Sequence, residues 1–190
     1  YENGILVEKD LDQAHTLYQS SANDGHFNSY ERLVNYYRFL TNEKDNASLI
    51  FYLEKIIDSI DKETQKDDYL KYCSLLGQEY YSINEYNKAR PLLLEAANGN
   101  QTDAFENLIR LYNDNKDEKL RWINRAAENG LLSAIHYLAF GYLENVTYYG
   151  IDKNTTKGLE LYKKATDRGY CPSIINYAML HENGLILKQN

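Results

Sequence analysis

One phrase returns along the chain, and its spacing restricts the fold more than any single residue does. Residues 125–143 read RAAENGLLSAIHYLAFGYL and residues 20–37 read SSANDGHFNSYERLVNYY. Residues 95–112 read EAANGNQTDAFENLIRLY and residues 164–180 read KATDRGYCPSIINYAML. Anchored three positions after the second small residue, the phrase falls at Gly25, Asn100, Gly130 and Gly169. The gap between Gly25 and Asn100 is too long for one unit. The stretch LIFYLEKIIDSI (residues 49–60) supplies a degenerate copy, with Leu49, Leu53 and Ile57 in the apolar slots and its anchor at Ile60. The intervals become 35, 40, 30 and 39 residues. Periods of this size in helix-favouring sequence specify an α-solenoid of helix pairs, because a single pair cannot bury its apolar face alone.

Before each anchor runs an i, i+4, i+8 stripe, as in Ala14/Tyr18/Ala22, Ala89/Leu93/Ala97, Lys119/Ile123/Ala127 and Gly158/Tyr162/Thr166. That spacing turns one face of a helix inward. Gly just past the helix end suits a left-handed cap, and Asn100 is the next-best residue there. Ile60 is not, so the second unit is expected to turn differently. After each anchor a second stripe follows: Leu33/Tyr37, Leu76/Tyr80, Leu108/Tyr112, Leu138/Tyr142 and Tyr177/His181. Together the patterns predict helices over 10–23, 28–40, 48–60, 67–82, 85–97, 103–113, 117–128, 132–144, 156–167 and 172–182. Ser82 to Glu85 reads as a capping box opening one of them. Pro91, too deep for a first turn, should bend its helix mildly. The domain organisation implied is one solenoid over residues 1–190, of about five repeats with units ending near 25, 60, 100, 130 and 169. Tyr1-Glu2-Asn3-Gly4 overlays His181-Glu182-Asn183-Gly184, so both ends read as cut within a repeat.

These residues resemble the Sel-1-like repeat family, relatives of the tetratricopeptide repeats. The fullest copy has Ala134, Leu138, Tyr142, Gly150-Ile151, Asn154, Lys157-Gly158, Leu161-Tyr162, Lys164-Ala165 and Gly169 in the family's places. A half-copy at the start has Tyr1, Gly4, Asp10, Ala14, Tyr18, Ala22 and Gly25. The three middle units lack the Gly-rich turn and read more like tetratricopeptide repeats. The resemblance implies an all-α, right-handed superhelix of antiparallel helix pairs whose first helices line a concave face. It also implies a non-catalytic module that binds a protein or peptide partner. A bacterial immunity or adaptor role towards a secreted effector is one version, in the bacterial cytoplasm or periplasm. A lumenal adaptor in endoplasmic-reticulum protein quality control (a ubiquitin-ligase complex) is another. A regulatory repeat domain attached to an enzyme is the alternative of a different class.

Composition removes other functions. A net charge of −7 with pI near 5.1 lacks the basic stripe that nucleic acid requires. Cys73 and Cys171 stand far apart without C-x-x-C spacing, so neither a disulfide framework nor a cysteine metal site is expected, and both thiols are read as buried and inert. His15, His26, His136 and His181 show no H-x-x-x-H spacing. No cofactor and no metal is expected. Acidic pairs such as Asp67-Asp68 and Asp117-Glu118 precede helices, where negative charge suits a helix N-terminus. No apolar run reaches the length that spans a bilayer, so no membrane insertion is expected. The N-x-S/T sequons at Asn46, Asn100, Asn145 and Asn154 sit in an Asn-rich chain, which supplies such triplets by chance.

Trp122 and the stripe residues Tyr18, Tyr80, Tyr112, Tyr142 and Tyr162 are expected in the core. A binding face should instead use first-helix residues that the packing stripe leaves over. Those are Arg32, Tyr36, Asn107, Arg110, Tyr137, Phe140 and Asn176, a set rich in the Tyr and Arg that anchor interfaces.

Overall fold

The structure, a computed structural model, describes residues 10–40, 45–144 and 150–184. Among these residues every regular element is a helix, and the architecture is an all-α solenoid of helix pairs. The chain divides into two compact units, Tyr1–Ala104 and Phe105–Asn190. The first holds α1 (Leu11–Asn23), α2 (Phe27–Asn35), a π-helical turn (Tyr36–Leu40), α3 (Asn46–Ser59), α4 (Lys66–Ser82) and α5 (Tyr86–Asn98). The second holds α7 (Lys116–Glu128), α8 (Leu132–Glu144), α9 (Thr155–Asp167) and α10 (Cys171–Glu182), and α6 (Thr102–Leu111) begins in the first unit and ends in the second. From α1 to α5, and again from α7 to α10, each helix packs on the next in the chain.

Local chemistry sets where helices begin and end. Asp10, Asp45, Asn115 and Asn154 cap α1, α3, α7 and α9, each side chain accepting a backbone N–H three residues on at 2.9–3.1 Å. An Asx N-cap satisfies one of the amides that a helix start leaves without a partner. At the other end the recurring phrase forms a Schellman motif. Gly130 has φ +84°, its N–H reaches the Ala127 carbonyl at 3.0 Å, and the Leu131 N–H reaches that of Ala126 at 2.9 Å. Gly25, Asn100 and Gly169 repeat the pattern with φ +83°, +64° and +80°. The two small residues of the phrase are thus the carbonyl acceptors of the cap and also part of the core: Ala96, Ala97, Ala126 and Ala127 are all buried. Ile60 is extended (φ −84°, ψ 130°), so that unit does turn differently.

The core follows the stripes. Leu33, Leu53, Leu93, Leu108, Ile123 and Ile135 are almost fully buried, as is Phe105, whose ring lies 6.2 Å from that of Trp122. Tyr80 and Tyr162 are buried as expected, whereas Tyr18, Tyr112 and Tyr142 are only half-buried. Gly158 marks the close approach of α9 to α8: a Cβ there would lie 2.6 Å from the Leu143 side chain and 3.1 Å from the Ala139 carbonyl oxygen.

Four expectations are corrected. Ser82 is the last residue of α4 rather than the N-cap of α5. Asn84 takes φ +64°, Asn84 and Glu85 donate their N–H groups to Tyr81 and Tyr80, and this Schellman cap of α4 displaces the capping box. Helix 28–40 ends as an α-helix at Asn35 and widens into the π-helical turn. In α3 the fully buried residue is Ile56, while Ile57 is only half-buried. Cys73 is buried, but Cys171 opens α10 and is exposed. The Tyr1-to-Gly4 half of the end-to-end overlay lies outside the described residues, as does the sequon at Asn145.

Candidate binding surface

The first helix of a pair carries two kinds of side chain: the stripe that packs, and residues one or two positions off it. In the second unit, two of the off-stripe residues meet. Arg110 near the end of α6 and Tyr137 in α8 line one hollow of about 220 Å³. Ile109, Ile123 and Ala134 give it apolar walls, and Glu106 and Ser133 lie at its polar margin, with the Ser133 hydroxyl donating to Glu106 Oε1 at 3.3 Å. An aromatic ring beside a guanidinium over an apolar floor is the composition of an interface anchor point.

The other second-unit candidates are differently placed. Asn107 is only 7% exposed, so it lies on the packed side of α6 rather than on an open face. Phe140 is half-buried in α8 and lies outside the lining of that hollow. Asn176 donates from Nδ2 to the Tyr162 hydroxyl at 3.0 Å, tying α10 to α9. Beside it stands His136, one of the four histidines whose spacing carries no motif. His136 Nδ1 shares a 2.9 Å hydrogen bond with the buried Ser173 hydroxyl, and its ring lies 5.3 Å from Tyr162 and 5.6 Å from Tyr170. Burial in this box holds the His136 imidazole below its usual pKa, favouring the neutral ring.

In the first unit, Arg32 opens onto a larger hollow of about 510 Å³ between α2 and α4. Tyr36, one turn later, turns away from it: its ring stacks on His15 at 4.3 Å and meets Tyr37 edge-on at 5.4 Å. Burial, then the nearby Asp12 carboxylate, raises the Tyr36 hydroxyl above the usual phenol range. His15 also reaches the Tyr37 hydroxyl at 2.9 Å, which makes this a packed aromatic cluster. The residues around Arg32 that the sequence reading missed are Asn28, Asn35, Arg38 and Lys71. No sequence signal marks out Arg38 and Lys71, which are two of 21 basic residues in the chain. Of the three described sequons, Asn154 is the α9 N-cap, Asn100 holds the positive-φ cap position and Asn46 is the first residue of α3.

Comparisons with known proteins agree with the fold. The Sel1 repeat model matches residues 1–26, 132–170 and 172–190. No curated protein sequence matches the chain. Among solved structures, a Sel1 repeat protein from Oxalobacter formigenes is similar with a TM-score of 0.70 at 19% identity, over 97% of this chain and 54% of that one. A protective antigen present in uropathogenic Escherichia coli strains, described as displaying an SLR fold, is similar with a TM-score of 0.67 at 21% identity, over 90% of this chain and 36% of that one. The chain therefore spans about half or less of the length of these structures. Among the described residues no helix is long and apolar enough to cross a membrane. The Sel1 repeat signature thus covers both end regions of the chain, and the fold is one it shares with a solved Sel1 repeat protein.

Proposed function

We propose that the chain is a non-catalytic interaction module, a run of about five repeats that grips a partner protein through first-helix residues left off the packing stripe. Sel1 repeats are generally protein–protein interaction modules and their proteins are typically non-catalytic scaffolds. The observation that carries the reading is the meeting of Arg110 and Tyr137 over one hollow with apolar walls. Truncating such an anchor removes more binding energy than the surrounding contacts do, typically about 2 kcal/mol or more. Within this reading, an immunity or adaptor role towards a secreted effector in a bacterium is the specific form put forward.

The test is affinity capture from the source organism with tagged wild-type chain and with an Arg110→Ala/Tyr137→Ala variant, followed by quantitative mass spectrometry. One partner should be enriched by the wild type and lost from the variant, while the helical circular dichroism of the two proteins stays the same. Equal capture by both would place the partner on another face.

A further inference from the structure

The hollow between α2 and α4 has a charge that the rest of the molecule does not lead one to expect. The chain carries 28 acidic and 21 basic side chains, yet the hollow is lined by Arg32, Arg38 and Lys71 against one carboxylate, Glu31. All three cations are exposed and come from three elements: α2, the π-helical turn and α4. Glu31 is engaged from within the wall. The Tyr72 hydroxyl donates to its Oε1 at 2.5 Å, and burial, then Glu31 itself, raises the Tyr72 hydroxyl well above the usual phenol range, so the proton stays on the ring oxygen. Asp68 lies near enough to Tyr72 to add to that shift but is not part of the lining.

We propose that this hollow seats an acidic segment of the partner protein, with Asp and Glu side chains of the partner pairing to Arg32, Arg38 and Lys71. This rests on the reading of the chain as a protein-interaction module and names the chemistry of what it holds. Three features favour a peptide carboxylate over other anions. Three cations line one hollow of a net acidic protein, whereas a nucleic-acid backbone needs a basic stripe. The two guanidinium groups present planar forks that match carboxylates, and Lys71 adds a point charge whose ammonium lies 5.1 Å over the Tyr72 ring. Asn28 and Asn35 add amides that can both donate and accept, as an extended backbone requires. Next to Arg38, whose guanidinium lies 4.8 Å over its ring, Phe39 is 67% exposed and offers an apolar contact to a residue flanking the acidic run.

The experiment is fluorescence anisotropy on the full chain at low ionic strength. The probes are a labelled short peptide of Glu and Asp spaced by Gly and Ser, its Gln/Asn counterpart, and a labelled single-stranded DNA oligonucleotide. The acidic peptide is expected to bind, the neutral one not, and added salt to weaken the binding. Arg38→Gln/Lys71→Gln, at exposed positions, should weaken it by about tenfold with unchanged circular dichroism. Arg110→Ala/Tyr137→Ala, in the other unit, should bind the acidic peptide as the wild type does. Equal binding of acidic and neutral peptides, tighter binding of the DNA, or an Arg38/Lys71 variant that binds normally would each overturn the proposal. Such a failure would leave the α6–α8 hollow untouched, because partner capture through Arg110 and Tyr137 is read with its own variant.

Discussion

Replacing Gly130 tests whether the recurring phrase is a cap, as the structure describes it, or a stretch of spacer. Its φ of +84° lies where an L-residue with a Cβ meets the following carbonyl, a conflict worth about 1–2 kcal/mol. Ala also restricts the unfolded chain, which returns part of that, but the net effect at a positive-φ site is destabilising. A Cβ would meet only the Arg168 guanidinium, at 3.2 Å, and that is the flexible end of a side chain. Its Nη1 donates to the Gly130 carbonyl at 3.1 Å, so moving it weakens one exposed hydrogen bond. Gly130→Ala should therefore cost about 1 kcal/mol and Gly130→Val about 1–2 kcal/mol. For a chain of this length each kcal/mol lowers Tm by about 2–4 °C. Gly130→Asn should cost clearly less, because Asn tolerates this region and Asn84 and Asn100 already occupy it at φ +64° in the same chain. Gly169→Ala, with φ +80° and nothing within 4 Å, isolates the backbone cost from the Arg168 contact. Urea unfolding followed at 222 nm would give the ranking. If Val and Asn at position 130 have the same effect, or Val has none, the reasoning from the left-handed cap is wrong.

Two further predictions concern groups whose surroundings shift their reactivity. His136, held below its usual pKa by burial, is more protonated in the unfolded chain than in the folded one as pH falls below the ordinary imidazole value of 6.5. Its contribution is complete above that value and is lost as pH drops towards the folded-state pKa, so the wild type should lose more Tm on acidification than His136→Gln; NMR titration placing the ring at or above 6.5 would refute this. His15 is lowered in the same direction, by burial first with Asp12 opposing it, so the His136 variant should remove only part of the slope. The two thiols should separate cleanly under a disulfide reagent: exposed Cys171 reacts in the native protein, whereas Cys73, buried and with its thiol pKa raised by burial, reacts only on unfolding. Cys171→Ser should abolish the fast phase, and a fast phase that survives would put Cys73 within reach of solvent.

What the sequence disclosed and what it withheld divide along a physical line. Caps, periods and small-residue pairs act over a few residues, and nine of the ten α-helices among the described residues were readable from them to within about two positions. The misreadings arose where two local signals competed. Ser82 and Glu85 carry capping-box chemistry, but Asn84 between them can adopt φ +64° and close the preceding helix instead. The site divides in the same way. Arg110 and Tyr137 could be singled out because each stands off the stripe of its own helix, and the two line one hollow. The burial of Asn107 was not visible in the stripe alone, since α6 buries Ala104, Phe105, Asn107 and Leu108 together. The basic hollow was not legible at all. Lys71 and Arg38 are ordinary surface cations in one dimension, and they gain meaning only when α2 and α4 are set side by side. In a repeat protein this division follows from the construction. The positions that recur are committed to seating one helix on the next, so they are similar from unit to unit and can be read. Whatever distinguishes one partner from another must be carried by positions that do not recur, and their grouping is visible only after folding.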